Sequence, residues 1–201
     1  MVARIPATQR RQDLVAAAFR VMARDGVAAA STRAICNEAG VAQSAFHYCF
    51  HTKEDLLRQL TRSVVVEMGS RAPSTTAADL ESSLVQAFDH LFSAAAGAPD
   101  QQLVLYELTA TVLRDPELAE LASWQYDQYF GAIDVLLRDL TKRFDFQWAL
   151  PIDVVARLFT ALIDGAILSW LADRNTEQTK EMLGVAAKQL AALAAEPSPL
   201  T

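Results

Sequence analysis

An all-α fold of about nine helices is predicted for this 201-residue chain by three features of its sequence. Apolar residues recur at intervals of three and four along nearly every segment, which is the period of a helix with one buried face. No segment shows the alternation of apolar and polar residues that is typical of a half-buried strand. Glycine, proline and capping residues separate the periodic segments at the places where helices begin and end.

The first two helices are defined by an apolar stripe and by two glycine stops. The first is predicted from about Gln9 to Asp25, and Gly26 follows it at the position where a helix favours a residue of positive φ. Its apolar stripe has the helical period and comprises Leu14, Ala17, Ala18, Val21 and Met22. The second helix begins near Ser31 and Thr32, either of which can cap it, and ends at Gly40.

A third, short helix is predicted from about Gln43 to Cys49, directly after the glycine turn. A long fourth helix follows Thr52, which stands three residues before Asp55 in the spacing of a capping box. Two helices joined by a sharp turn and supported by a third are typical of helix-turn-helix DNA readers. The sequence therefore predicts an N-terminal helix-turn-helix DNA-binding domain at residues 1–52. The rest of the chain is rich in apolar residues for a soluble protein, which indicates surface to bury against a partner subunit, a ligand or both, so residues 53–201 are expected to be a C-terminal helical ligand-binding and dimerisation domain.

Five further helices are predicted in the second domain, where Gly97 to Pro99, Pro116 and Pro151 mark breaks or first turns. The fifth carries Leu80 to Phe92 and ends before that break. The sixth helix is predicted from Gln101 to Arg114 and the seventh from Pro116 to about Arg143. The eighth begins at Pro151, and the ninth runs from about Glu177 to Ala195.

Charge is distributed unevenly along the chain, whose formal net charge is −6. Residues 1–62 hold nine Lys/Arg and five Asp/Glu, a balance of +4, whereas residues 63–201 hold nine and nineteen, a balance of −10. A basic N-terminal part joined to an acidic body is typical of a protein that places only one end on nucleic-acid phosphate. Double-stranded DNA is therefore the expected partner.

Composition excludes several other classes of protein. No charge-free apolar run reaches the roughly 18–20 residues needed to span a bilayer, and the N-terminus lacks a signal-peptide pattern, so we expect a cytoplasmic protein with no membrane partner. Cys36 and Cys49 lack metal-ligand spacing, and so do the three histidines, so no metal and no cofactor is expected. No nucleophile elbow and no glycine-rich phosphate loop is present, so the sequence predicts no enzyme.

The N-terminal segment resembles the TetR family of bacterial transcriptional regulators. Three patterns carry the resemblance: Arg11-x-x-Leu14-Val15-x-Ala17-Ala18, Ile35-Cys36-x-x-Ala39-Gly40-Val41 and Phe46-His47-x-x-Phe50-x-x-Lys53-Glu54-x-Leu56-Leu57. The chain departs from the family pattern at Ala42, where a Ser or Thr usually caps the third helix, and at His47, where a Tyr is usual. Loss of such a cap costs about 0.5–2 kcal/mol unless another group replaces it.

Helix-turn-helix docking places the second helix across the DNA backbone and the third in the major groove. Gln43 is the candidate for base readout, because its amide can pair with N6 and N7 of adenine. Lys53 is expected to hold a phosphate, as the matching family lysine does. Arg4, Arg10 and Arg11 are expected to reach the backbone or minor groove. The predicted DNA-binding set comprises Thr32, Arg33, Gln43, Ser44, His47, Tyr48 and Lys53.

A homodimer is expected, because operators read by such motifs are usually two-fold, with half-sites about 34–36 Å apart. The resemblance implies that the last two helices pair with their copies in a four-helix bundle. The predicted interface comprises Leu158, Leu162, Gly165, Ala166, Ala187, Leu190, Ala191 and Ala194. The alternative is that the alanines are there as good helix formers.

The resemblance also implies a cavity for a small-molecule effector among the fifth to eighth helices. Its predicted lining comprises Phe88, Phe92, Tyr106, Thr109, Trp124, Gln128, Phe130, Phe159 and Asp164. Because this lining is mostly apolar, the expected effector is an apolar or aromatic molecule that releases a repressor from its operator. The alternative for each aromatic residue is that it belongs to a plain helical core.

Two alternatives keep DNA binding and drop the small ligand. In the first, the body binds a protein partner or serves only as a dimer scaffold. In the second, Cys36 and Cys49 form a redox switch on the two DNA-facing helices, which requires Cα atoms within about 7 Å of each other.

Overall fold

A computed structural model describes residues 6–69 and 73–195 of the chain. These residues form nine α-helices, so the predicted all-α fold is confirmed. The helices are α1 Ala7–Asp25, α2 Thr32–Glu38, α3 Gln43–Cys49, α4 Lys53–Gly69, α5 Leu80–Gly97, α6 Pro99–Leu113, α7 Ala119–Phe144, α8 Ile152–Asp173 and α9 Thr176–Ala191. A 3-10 turn, Val27–Ala29, joins α1 to α2.

Several predicted helix ends in the N-terminal part are formed by the residues that the sequence indicates, whereas α7 begins at Ala119 and not at the predicted Pro116. The Ser31 hydroxyl accepts a hydrogen bond from the Ala34 N–H at 3.2 Å and so caps α2. The Asp55 N–H donates to the Thr52 hydroxyl at 3.1 Å, and the Thr52 N–H donates to the Asp55 carboxylate at 3.3 Å, which completes the capping box of α4. Gly26 and Gly40 have φ of +85° and +66°, values that a residue with a side chain rarely adopts.

A pair of two-residue strands was not predicted by the sequence. β1, Gln147–Trp148, pairs antiparallel with β2, Ala194–Ala195, and α9 ends at Ala191 instead of continuing to residue 195. The Ala149 N–H adds a hydrogen bond of 2.8 Å to the Leu193 carbonyl. Two residues are too few for an alternating pattern to be visible in a sequence, so only the pairing itself reveals these strands.

The chain folds into two compact units, each built from two stretches of sequence. The first comprises residues 1–67 and 100–125, and thus α1–α4, α6 and the first turns of α7. It extends beyond the expected domain boundary at residue 52, because α4 and α6 supply part of the core around α1–α3. That core includes Phe46, Phe50, Leu56, Leu60, Val104, Leu108 and Val112.

The second unit comprises residues 68–99 and 126–201, where α8 packs against both α5 and α9. Its core is aromatic: Phe88 stacks on Phe159 with ring centroids 4.1 Å apart, and Phe92 meets Trp170 edge-on at 5.6 Å. Among the described helices, α8 alone is long and apolar enough to cross a membrane. Its apolar residues on the inner face are instead buried in this core.

We expect Ser31→Ala to lower the free energy of unfolding by about 0.5–2 kcal/mol, because the first turn of α2 loses its side-chain acceptor. Urea denaturation at one fixed protein concentration measures the change. Ser93→Ala is the matched control, since Ser93 is exposed within α5. Equal effects of the two substitutions would contradict the capping role of Ser31.

Candidate nucleic-acid interface

The short helix α3 has one buried face and one exposed polar face. Phe46 and Cys49 are buried in the core of the first unit. The four predicted DNA-binding residues of this helix, Gln43, Ser44, His47 and Tyr48, are all exposed, and Tyr48 is 66% exposed. The structure therefore brings these four side chains together on one surface, which is the geometry that a recognition helix requires.

The two ends of α3 are held differently. Ala42 provides no side-chain cap at the N-terminal end, as the sequence indicates, and Ser44 does not replace it. At the C-terminal end, Arg11 Nη1 donates a hydrogen bond of 2.7 Å to the Cys49 carbonyl, and the Arg11 guanidinium lies 4.6 Å from the centroid of the Phe50 ring. A cation at the C-terminal end of a helix satisfies free carbonyls and interacts favourably with the helix dipole.

Arg11 thus supports α3, whereas the sequence predicts that it reaches the DNA backbone or minor groove. Its partner lies 38 residues along the chain, so no local pattern indicates the contact. Arg10 remains partly exposed on α1, and Arg4 lies outside the described residues. Of the other predicted contacts, Thr32 and Arg33 open α2 and Lys53 opens α4.

Two arginines of the basic N-terminal segment are occupied by an acidic partner. Glu38 at the end of α2 accepts hydrogen bonds from Arg20 at 2.8 Å and from Arg24 at 3.0 Å. These bonds lower the pKa of Glu38, so their contribution to stability is present above the ordinary pKa of a glutamate and is lost as the pH falls through the lowered value. Part of the positive charge of this segment is therefore paired within the protein, and is not available to bind DNA phosphate.

A carboxylate of α6 closes the turn between α1 and α2. Glu107 Oε2 accepts a hydrogen bond of 2.8 Å from the Val27 N–H and lies 3.6 Å from the position that a Cβ on Gly26 would occupy. Arg58 of α4 donates to the carbonyl of Glu117 just before α7. Neither contact could be predicted from a sequence pattern, because each joins residues that are far apart in the chain.

The predicted effector residues are divided between the two units. Tyr106, Thr109 and Trp124 belong to the first unit. Thr109 is buried, donates to the Leu105 carbonyl at 2.9 Å and accepts from Gln125 at 3.1 Å. Trp124 packs against the first-unit core, with the Arg62 guanidinium 5.8 Å from its ring centroid.

The remaining effector candidates lie in the second unit, in three different settings. Phe88, Phe92 and Phe159 are fully buried and cover one another or Trp170. Gln128 is exposed, unlike the other predicted cavity residues of this unit. Phe130 and Asp164 are half-buried, and both lie beside Tyr126.

The predicted dimer residues also separate by exposure. Leu158 and Gly165 are exposed, and Leu162, Ala191 and Ala194 are half-buried. Ala166, Ala187 and Leu190 are buried within the protomer and cannot contact a partner, so the prediction that they lie in the interface is wrong.

Four large apolar residues that were not predicted for the interface are exposed on the same helices. They are Val154 and Leu168 on α8, and Met182 and Val185 on α9. Steps of three and four from Leu158 lead to Val154, Ala161, Gly165 and Leu168 and so could have indicated the α8 stripe.

Two family models together match most of the described chain, one in its N-terminal part and one in its body. Residues 14–60 match the family model described as bacterial regulatory proteins, tetR family, and residues 80–195 match that of the BetI-type transcriptional repressor C-terminal region. The chain belongs to the TetR family. The first match ends within α4 and the second begins at α5, so the resemblance found between Arg11 and Leu57 is confirmed and extended to the body.

Individual transcriptional regulators are similar to this chain over most of their length. The nicotine-responsive transcriptional repressor HdnoR of Paenarthrobacter nicotinovorans is 28% identical over 181 residues, which are 89% of this chain and 92% of that protein. A transcriptional regulator from Rhodococcus sp. Rha1 has the same fold, with a TM-score of 0.77, 21% identity, and coverage of 93% and 99% of the two chains.

A third similar protein is the regulator FadR of Bacillus subtilis, whose structure was solved in complex with stearoyl-CoA. Its TM-score is 0.71 at 18% identity, and the match covers 90% of this chain and 97% of that one. Membership of the TetR family makes this protein a transcriptional regulator.

We expect Arg11→Ala to speed amide hydrogen exchange of Phe46 to Phe50 about fivefold, because loss of the charged hydrogen bond to Cys49 removes about 1 kcal/mol from the local stability of α3. Gln12→Ala, at the next and also exposed position of α1, is the control and should leave exchange in α3 unchanged. Unchanged exchange in both variants would show that Arg11 does not hold α3.

Proposed function

We propose that this protein is a dimeric repressor that binds a two-fold operator in double-stranded DNA and leaves it when a small molecule binds the body. The DNA-binding part of this proposal rests on the two different faces of α3, one buried and apolar and the other exposed and polar. Its polar residues Gln43, Ser44, His47 and Tyr48 are exposed together, while Phe46 fixes the opposite face in the core. Gln43 stands at the first position of the helix, where a recognition helix meets base edges.

The proposed roles of the DNA contacts differ with their chemistry. Gln43 reads a base through its amide, which carries both a donor and an acceptor. Lys53, Thr32 and Arg33 hold phosphates, since a cation or a helix N-terminus binds phosphate without regard to base sequence. The family relationship supports this division, because a regulator of this kind needs both positioning and readout.

The proposed dimer is supported by large apolar residues that are exposed on α8 and α9. Leu168 is 53% exposed and Val185 is 61% exposed, and each lies on a helix whose opposite face is buried in the second unit. Val154 and Leu158 on α8 and Met182 on α9 are also exposed. Pairing these faces with those of a second copy would bury them in a four-helix bundle and present two α3 helices to two half-sites.

The proposed ligand response is supported by the membership of α6 in the first unit. Because the Glu107 carboxylate of α6 holds the Val27 N–H, a ligand that displaces α6 would act on the turn between α1 and α2. Similar proteins respond to nicotine or bind stearoyl-CoA, so we infer control by a small organic molecule. A coupling of about 1–3 kcal/mol would change operator affinity about 5–150-fold.

A redox mechanism receives less support. Cys36 and Cys49 are both buried free thiols. Burial raises the pKa of Cys36 and so reduces the fraction of reactive thiolate. We also propose that the protein acts in the cytoplasm, where its operator DNA is, and that it has no catalytic activity.

The test of these two roles, base readout and phosphate binding, needs the operator sequence. The operator is first identified by selecting the genomic DNA fragments that the protein binds at one stated salt concentration. With the selected operator, we expect Gln43→Ala to relax preference at one base position by about 1–3 kcal/mol. Lys53→Ala should weaken binding to all sequences and reduce the slope of log K against log salt by about one. Fluorescence anisotropy measures both effects. Equal loss of base preference in the two variants, or selection of no common sequence, would contradict the proposal.

We expect Leu168→Glu to convert the dimer into a monomer, because a carboxylate would be buried in the bundle without a partner. Sedimentation velocity measures the oligomeric state. Val135→Glu is the matched control, since Val135 is 60% exposed on α7 of the same unit and lies outside the proposed interface. If Leu168→Glu sediments as the wild type does, the α8–α9 interface is wrong.

A further inference from the structure

His47 lies one helical turn after Gln43 on the exposed face of α3. Residues four apart on a helix are surface neighbours, with about 5–6 Å between their Cβ atoms. The first turn of a recognition helix meets base edges, so a side chain one turn later lies nearer the phosphates that border the groove. The ring of the buried Phe46 lies edge-on to the imidazole, with centroids 5.7 Å apart. His47 is thus supported by the core and open to solvent on its other side.

Positively charged residues occur on each of the three helices that adjoin α3. Arg11 of α1 donates to the Cys49 carbonyl in the last turn of α3. Arg33 is exposed in the first turn of α2, and Lys53 is the first residue of α4. Because α3 itself contains no acidic residue, any negative partner for a charged His47 has to come from the neighbouring helices.

The acidic residues of those helices are directed to other groups. Asp13 of α1 accepts a hydrogen bond within its own helix, and Glu38 of α2 is held by two arginines of α1. Asp55 of α4 caps the start of its own helix, where Glu54 stands beside it. Within the part of the chain that the structure describes, His47 makes no ion pair with any of them. The free protein therefore supplies no acidic partner there for a protonated imidazole.

DNA supplies the acidic partner that the free protein lacks at this position. Histidine is the side chain whose charge changes between about pH 5 and 8, so both charge states are available near neutral pH. A phosphate at ion-pair distance favours the protonated imidazole. Binding of DNA would take up a proton, and by linkage a lower pH favours binding. The contribution is present at low pH, where the imidazole is charged, and is lost as the pH rises.

We propose that His47 is a proton-dependent phosphate contact, whose protonated imidazole binds the DNA backbone and raises operator affinity as the pH falls from 8 to 6. Lysine and arginine contacts have no such dependence in this range. The inference rests on the proposed function, and it adds a regulatory input that does not pass through the body. Acidification of the cell interior would tighten repression without any change in effector concentration.

The test is fluorescence anisotropy of the full-length protein with the selected operator duplex, at pH 6 and pH 8 and over a series of salt concentrations. We expect the wild type to bind about two- to fivefold more tightly at pH 6, the range of an exposed ion pair. The slope of log K against log salt should steepen by up to about 0.9, because one more phosphate is neutralised. His47→Gln should lose both effects.

The chain offers matched controls for these effects in its other two histidines. His90 is exposed on α5 in the second unit, and His51 is exposed between α3 and α4. His90→Gln and His51→Gln should both keep the pH response of the wild type. His47→Lys carries its charge at both pH values, so it should show at pH 8 the steeper salt dependence that the wild type shows at pH 6.

Three results would overturn the role of His47. They are an equal pH response in the wild type and His47→Gln, a response that only His51→Gln removes, and a response without a change in salt slope, which excludes a phosphate contact. A wild type that binds its operator equally well at both pH values would overturn this inference and leave the repressor proposal standing. A wild type that selects no operator at either pH would contradict both.

Discussion

Burial of the inner face of α3 is the constraint on which the proposed DNA-binding surface depends. A seven-residue helix is marginal in water by itself, and α3 lacks a side-chain cap at its N-terminal end. Phe46 and Phe50 therefore provide most of its order by packing in the first-unit core, and Arg11 holds its last carbonyl. Because α1, α2, α4 and α6 all line this core, the direction in which Gln43 points is a property of the whole unit.

The parts of the fold that sequence reasoning predicted are those encoded by neighbours in the chain. Ser31, Thr52 and Gly26 mark helix ends through contacts within a few residues, and the apolar stripe of α1 follows from helical period alone. The contact of Glu107 with the Val27 N–H and the β1–β2 pair join residues tens of positions apart. No periodicity encodes such pairings, so they became visible only in three dimensions.

The candidate site shows the same division. The exposed face of α3 was predicted in full, because a short helix with Phe46 and Cys49 buried has only one face left for solvent. The faces of α8 and α9 were not, since α8 is apolar on both sides and the sequence does not show which of its two stripes is buried in the protomer. Ala187 was thus placed at the interface although it is buried, while Val185, two positions earlier, is exposed.

The division of the first unit into residues 1–67 and 100–125 has a consequence for synthesis of the protein. Helices α1–α4 leave the ribosome before α6 exists, so the side of their core that Val104, Leu108 and Val112 cover stays open. At a translation rate of about 5–20 residues per second, the 58 residues from position 67 to position 125 take roughly 3–12 seconds. During that interval the nascent DNA-binding unit exposes an apolar surface to chaperones and cannot reach its finished form.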